Sequence, residues 1–217
     1  MESRLVESPL RTGEQRVLAA TAVEALAWAW VKFGDRCCVL SSMQDATVVD
    51  LAMQVDRSFP VVFLDTGYHF AETWDTLRAI ERHYGIAVEV ISPTTPPRTN
   101  VAPGECCQDK TAMLEVALGD RDAWVSGIRR PQTSARSNTS LIETDTHGRT
   151  KINPVAQWSN EDHARYVAAA SVIQNPLLAR GYTSVGCEPC TSLPTDGGDL
   201  RSGRWAGTNR TECGLHV

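Results

Sequence analysis

A chain of 217 residues is long enough for one α/β domain with a sizeable core, and its formal charge of -5 gives no general attraction to nucleic acid or anionic lipid. Any anionic ligand must therefore be held by local Arg and Lys. The N-terminus has no basic lead into an apolar run and no uncharged apolar stretch approaches the roughly 20 residues that span a bilayer, so a cytoplasmic location is expected.

The segment from Glu14 to Lys32 mixes Ala, Leu, Val and Trp with polar residues and predicts an amphipathic helix. Cys37 to Leu40 is a short apolar run that reads as a strand, followed by the turn Ser41-Ser42-Met43-Gln44-Asp45 and a helix over Ala46 to Gln54. Val61 to Leu64 repeats the arrangement, with Asp65-Thr66-Gly67 as turn and Phe70 to Tyr84 as helix. Ile86 to Ile91 predicts a third strand ending in the Pro-rich stretch Ser92 to Pro97. A helix is expected over Lys110 to Leu118 and a fourth strand over Ala123 to Ile128. Leu141 to Ile142 and Thr150 to Ile152 pair as a short hairpin, and a helix follows from Glu161 to Ser171. Strands alternating with helices imply an α/β fold, a mostly parallel sheet with helices on both faces. Ligands of such sheets collect at the carboxyl ends of the strands, where Ser41, Asp65 and Gly127 are expected. After Arg180 the composition shifts to Gly and Cys with little apolar periodicity, as in a tail organised by a ligand.

Seven Cys is an odd count, and without a secretion signal it points to metal or thiol chemistry rather than a disulfide scaffold. Cys106-Cys107 and Cys187-Glu188-Pro189-Cys190 are two tight pairs that can surround one metal centre. Both zinc and iron–sulfur clusters accept four Cys, and directly adjacent Cys suit separate irons of a cubane better than one tetrahedral ion. Cys37-Cys38 lies inside a strand, where neighbours point to opposite faces, and is expected to be core. Cys213 is the fifth residue counting back from the chain end, downstream of Arg201 and Arg204, whose cations favour a thiolate and can clamp an anionic leaving group. The Ser41 turn offers hydroxyls and backbone N–H groups to an anion but lacks the glycines of a Walker loop. Gly127-Ile128-Arg129-Arg130, with Arg136 beyond, gathers three guanidiniums after a strand end.

Taken together, Ser-Ser-Met-Gln-Asp-Ala at Ser41, Leu-Asp-Thr-Gly-Tyr-His-Phe at Leu64, the paired Cys at Cys106, Gly-Ile-Arg-Arg at Gly127, Gly-Cys-Glu-Pro-Cys-Thr at Gly186, Arg-Ser-Gly-Arg-Trp at Arg201 and Glu-Cys-Gly-Leu-His at Glu212 resemble the assimilatory adenylyl-sulfate reductases. These belong with the phosphoadenylyl-sulfate reductases to the adenine nucleotide α-hydrolase-like superfamily. The resemblance implies a [4Fe–4S] cluster on Cys106, Cys107, Cys187 and Cys190, and with it a substrate lacking a 3′-phosphate. It implies Cys213 as nucleophile, Ser41, Ser42 and the turn Leu64, Asp65, Thr66 and Gly67 along the nucleotide, Gly127 and Arg129 beside them, and Arg136, Arg201 and Arg204 on the anion. At one place the chain departs from the family: Lys110-Thr111 stands where Arg-Lys is usual, so the lysine that links cluster and substrate is missing from its position.

The implied reaction reduces adenylyl sulfate to sulfite and AMP through a Cys S-sulfonate, with thioredoxin or a similar dithiol as reductant and no nucleic-acid or membrane partner. A homo-oligomer stays open. Residues 1–217 form one domain in this reading, with about 187–217 as a mobile catalytic tail and His216 as an exposed residue near the nucleophile. The alternatives are reduction of the 3′-phosphorylated substrate, an ATP-dependent thiolation or amidation enzyme on the same fold, and a non-catalytic four-Cys metal module.

Overall fold

The computed structural model describes residues 13–195, 200–208, 210 and 212–215. His216 and the backbone at 196–199 lie outside the described residues, as does the side chain of Cys107. The elements are α1 (Gly13–Phe33), β1 (Cys37–Leu40), α2 (Thr47–Val55), β2 (Val61–Leu64), α3 (Ala71–Tyr84), β3 (Val88–Ile91), α4 (Lys110–Leu118), β4 (Ala123–Ser126), β5 (Ile142–Thr144), β6 (Thr150–Ile152), α5 (Asn160–Ala169) and α6 (Pro176–Ala179). One six-stranded sheet runs in the order β3-β2-β1-β4-β6-β5, parallel throughout except for β5, which pairs antiparallel with β6 at an edge.

Strand alternation divides the core in two. Cys37 and Val39 of β1 face one side with Val61, Phe63, Val125 and the inner faces of α1, α2, α3 and α5. Cys38 faces the other with Val62, Leu64, Trp124 and the α4 residues Met113, Leu114, Ala117 and Leu118. The adjacent cysteines are thus core residues of opposite layers, as a period of two demands.

By length and composition residues 17–36 could cross a bilayer, although Glu24, Lys32, Asp35 and Arg36 interrupt them. In this fold Ala22, Leu26 and Ala29 of that stretch have zero exposure, and α1 packs against α2.

Several bounds differ from the sequence reading, with β4 ending at Ser126 rather than Ile128 and α5 at Ala169 rather than Ser171, and three differences have visible local reasons. β3 begins at Val88 rather than Ile86, because Gly85 (φ 67°) and Ile86 both donate their N–H groups back to the Glu81 carbonyl to close α3. The hairpin strand β5 runs on to Thr144, since Asp145 caps the following turn by accepting from the His147 and Arg149 amides. The one-turn helix α6 was not anticipated; Asn175 caps it by accepting from the Leu177 N–H, and Pro176 sits at its first position.

The helices on the larger face are tied together by one carboxylate. Asp50 of α2 accepts from the hydroxyls of Tyr84 at the end of α3 (2.9 Å) and Tyr166 of α5 (2.5 Å), and Gln54 also donates to it (3.0 Å). Burial, reinforced by the Asp50 charge, pushes both phenol pKa values up, so the tyrosines stay donors. Asp50→Ala removes the acceptor of two hydroxyls of low exposure, of which that of Tyr166 still accepts from Gln54, and is expected to destabilise the fold by about 2–4 kcal/mol, with Tyr84→Phe costing about 1 kcal/mol. Urea denaturation with an unchanged m-value would check both.

Candidate active site

The sheet order reverses between β1 and β4, which is where an open α/β sheet leaves a crevice at its carboxyl edge. Leu40 pairs with Ser126, so the next residues, Ser41 and Gly127, flank that gap side by side. Both line a cavity there together with Ser42, Leu64, Arg129, Arg136, Arg201, Arg204 and Cys213. Gly127 passes close to α2: a Cβ there would stand 3.2 Å from Val48 Cγ2.

The Ser41 turn is shaped by its own side chains. Ser41 Oγ accepts from the Met43 N–H (3.3 Å), and Met43 takes a left-handed backbone (φ 57°). Asp45 accepts from the Thr47 N–H at the start of α2 (3.0 Å), so the chain itself engages this helix-terminal amide. In the Leu64 to Gly67 turn, only Leu64 belongs to the cavity lining. Asp65 closes the turn by accepting from the Gly67 N–H (2.7 Å), Gly67 (φ 77°) packs beneath Pro97, and the Thr66 hydroxyl lies 3.2 Å from Cys187 Sγ. The sequence groups these four residues along the nucleotide, whereas the fold turns Thr66 toward the cysteines.

The arginines divide by partner. Arg129 is buried and donates to the Ser159 carbonyl (3.2 Å) and Asn160 Oδ1 (2.8 Å), fixing the start of α5. Burial holds its pKa below the ordinary value. Arg204 donates to the Cys190 carbonyl (3.3 Å) and Ser184 Oγ (3.4 Å), and its guanidinium sits over the Trp205 ring at 4.6 Å, with that of Arg201 at 5.2 Å. A Cβ at Gly186 would overlap the Arg204 guanidinium, which would have to move from its place over Trp205. Burial, followed by the charges of Arg136 and Arg204, pushes the Arg201 pKa down to about 10, and the Cys213 side chain lies within its electrostatic reach. Arg136 is spanned by the Glu212 carboxylate, at 2.7 Å to Nε and 2.6 Å to Nη2.

Cys106, Cys187 and Cys190 form a separate buried group with Trp205, and Cys213 packs at its edge. Cys106 Sγ and Cys190 Sγ are 2.9 Å apart. The Gly104 N–H points at Cys190 Sγ (3.1 Å), and the left-handed backbone of Gly104 (φ 94°) makes that approach. Trp205 also takes a left-handed backbone (φ 50°), strained for so bulky a residue, and donates its N–H to the Cys190 carbonyl (3.0 Å). Its indole Nε1 is buried without a partner. Among the described residues no three His, Cys, Asp or Glu groups are arranged as a metal site. The donor chemistry nonetheless fits a thiolate-bound centre: buried sulfurs from two segments, N–H and O–H donors aimed at them, and an orphaned indole donor beside them.

Sequence reading missed one wall of the cavity. His163 Nε2 lies 3.1 Å from Thr47 Oγ1 and 3.5 Å from Asp45 Oδ2, and all three residues line the cavity. Burial raises the Asp45 pKa, but hydrogen bonds from His163 and Thr47 and the His163 charge outweigh it and hold the carboxyl below its ordinary range. A single His on a polar helix carries no signal of this partnership in sequence. Lys110 also lines the cavity, while the Thr111 hydroxyl faces Gly214, next to Cys213.

Burial pushes the Cys38 pKa up to about 12 and raises Cys37 further, with the charge of Cys38 adding to burial there. At pH 8 the Cys38 thiolate fraction is therefore on the order of one in ten thousand. Brief iodoacetamide treatment of the native protein at pH 8 is expected to label Cys213 and spare Cys37 and Cys38, as read by peptide mass.

The family described as phosphoadenosine phosphosulfate reductase domain matches residues 36–193. A relative named adenosine 5′-phosphosulfate reductase from Mycolicibacterium smegmatis is 45% identical, over 94% of this chain and 92% of its own. A protein of the same name from Streptomyces coelicolor is 45% identical over 91% and 89% respectively. Among solved structures, a phosphoadenylyl-sulfate reductase from Candida auris in a phosphate complex superposes with a TM-score of 0.63 at 22% identity, covering 82% of this chain and 96% of that one. The FMN adenylyltransferase of Candida glabrata shares the fold at a TM-score of 0.64 and 16% identity, over 84% of this chain and 65% of that one. The mostly parallel sheet expected from the alternation of strands and helices, and the adenine nucleotide α-hydrolase-like type that the resemblance implied for it, are those observed. Matched across most of its length by sequence and by fold, this chain belongs to the phosphoadenosine phosphosulfate reductase family.

Proposed function

We propose that this chain is an oxidoreductase of sulfate assimilation that reduces adenylyl sulfate to sulfite and AMP, with Cys213 as nucleophile and a thioredoxin-type dithiol as electron donor. One observation carries the reading: Cys213 lines the same switch-point cavity as Ser41, Gly127, Arg201 and Arg204. The names of relatives 45% identical over more than nine-tenths of the chain support a substrate without a 3′-phosphate.

In this reading Ser41, Ser42, Leu64 and Gly127 border the nucleotide, and Asp65, Thr66 and Gly67 form the turn between it and the cysteines. Arg129 fixes the wall behind. The Cys213 thiolate attacks the sulfur of the phosphosulfate, the sulfur–oxygen bond breaks, and its electron pair leaves on the AMP phosphate. Arg201 and Arg204 stabilise the charge that develops there. Arg204 is held by Ser184 and the Cys190 carbonyl before any substrate arrives, so little reorganisation is needed. A thiolate of the reductant then attacks the Cys213 sulfur, expelling sulfite with its electron pair. The second thiol of the reductant displaces Cys213, and the dithiol ends as a disulfide after giving two electrons. A reducing compartment such as the cytoplasm suits that chemistry.

Cys106, Cys107, Cys187 and Cys190 would hold the [4Fe–4S] cluster, which supplies a fixed charge and a brace between the tail and the segment before α4. Thiol-only donors, the aimed Gly104 and Thr66 groups and the orphaned Trp205 indole support this assignment. Anaerobically purified protein is expected to be brown and to contain iron and sulfide; colourless protein with zinc would exclude the cluster.

The deciding experiment is intact mass after mixing with adenylyl sulfate. A sulfonate adduct is expected on Cys213, lost on adding reduced thioredoxin and absent in Cys213→Ser. The absence of an adduct on cluster-loaded protein would refute the mechanism. Faster adduct formation with the 3′-phosphorylated substrate would assign the preference to that nucleotide instead.

A further inference from the structure

Among the described residues, five cationic side chains, those of Lys110, Arg129, Arg136, Arg201 and Arg204, line the cavity with the single carboxylate of Asp45. Glu212, the residue before Cys213, brings a second carboxylate into this positive field. Both of its oxygens are engaged. Oε1 accepts from Arg136 Nε (2.7 Å) and the Thr133 hydroxyl (3.1 Å), and Oε2 from Arg136 Nη2 (2.6 Å) and Arg201 Nη2 (3.4 Å). The Arg136 and Glu212 side chains are only 7% and 8% exposed, so this two-pronged pair lies in the interior. Arg136 Nη1 in turn donates to Gln132 Oε1 (2.5 Å), so every nitrogen of that guanidinium already holds a protein acceptor.

We propose that Glu212 is a positioning residue: clamped by Arg136 and Thr133, it seats the tail so that the Cys213 thiol faces the cavity. The proposal rests on the reading of Cys213 as nucleophile. Adjacent Cα atoms are about 3.8 Å apart, so a fixed Glu212 carboxylate leaves Cys213 little freedom. A buried guanidinium that loses its partner is costly, which makes the seat a defined state. Burial raises the Glu212 pKa, but the hydrogen bond and charge of Arg136, then Arg201 and Thr133, outweigh it, so the carboxyl stays ionised. The seat has a second consequence. A thiol facing the cavity suits attack on a bound nucleotide, whereas an S-sulfonate must meet a reductant arriving from outside, so leaving the seat favours the second half of the cycle.

The test compares wild type with Glu212→Gln, of the same shape without charge, and with Glu212→Asp, which keeps the charge. Without substrate, Cys213 alkylation by iodoacetamide is expected to be several-fold faster in Glu212→Gln and nearer wild type in Glu212→Asp. In single turnover with adenylyl sulfate, S-sulfonate formation is expected to fall on the order of tenfold to a hundredfold in Glu212→Gln. Nucleotide affinity, measured on the Cys213→Ser background with and without Glu212→Gln, is expected to change by less than about threefold. Release of sulfite from preformed S-sulfonate by dithiol is expected to be unchanged or faster. Unchanged alkylation, equal slowing of both half-reactions, or markedly tighter nucleotide binding in Glu212→Gln would overturn the proposal, the last by making Glu212 a competitor for the anion site. If wild type forms no S-sulfonate, the proposed reaction fails, and the alkylation comparison still decides the seat. Should Glu212→Gln fail to fold, Thr133→Ala, which removes one donor to the same carboxylate, is expected to move alkylation in the same direction by less; no change there would count against the seat.

Discussion

The cavity depends on one register. Leu40 of β1 lies beside Ser126 of β4, and beyond that pair the chains diverge, Ser41 into the turn before α2 and Gly127 toward Arg129. The divergence follows from a parallel sheet whose connections run outward in both directions from its middle, leaving the carboxyl edge at the reversal uncovered. Val48 of α2 can close over that edge because position 127 has no side chain. A one-residue slip would exchange Cys37 and Val39 for Cys38 and Leu40 across the two core layers and dissolve the cavity with them.

The second constraint is electrostatic. A chain with a net charge of -5 draws Lys110, Arg129, Arg136, Arg201 and Arg204 around one opening. Buried guanidiniums so close to one another need partners, and the fold supplies them. Arg129 has the start of α5, Arg204 has Cys190 and Ser184, both Arg201 and Arg204 have the Trp205 ring, and Arg136 has Glu212. The positive field is thereby fixed before a ligand arrives, and the partners knit the C-terminal segment to the sheet.

One residue type meets three environments in the same chain. Cys37 and Cys38 sit in apolar layers that push their pKa values up and make them inert packing. Cys106, Cys187 and Cys190 are gathered where the Gly104 N–H and the Thr66 hydroxyl face sulfur. Cys213 is partly exposed at the cavity, within electrostatic reach of Arg201 and packed against the edge of the Cys106–Trp205 group.

By itself the sequence determined the elements and their order, because strand and helix periodicities are local and Val61 to Leu64 or Phe70 to Tyr84 declare them without help from elsewhere. Local spacing also singled out the cysteine pairs and placed Cys37-Cys38 in the core. The closing of α3 by Gly85 and Ile86 escaped it, since that hydrogen bonding competes with a strand signal over the same residues. Tertiary structure alone decided partnership. Asp45 meets His163 across 118 positions of chain, Thr66 turns to Cys187, and Arg136 at the cavity finds Glu212. Such pairings depend on where folded layers bring distant segments, and side-chain type fixes what a group can bond to but not which neighbour the fold supplies.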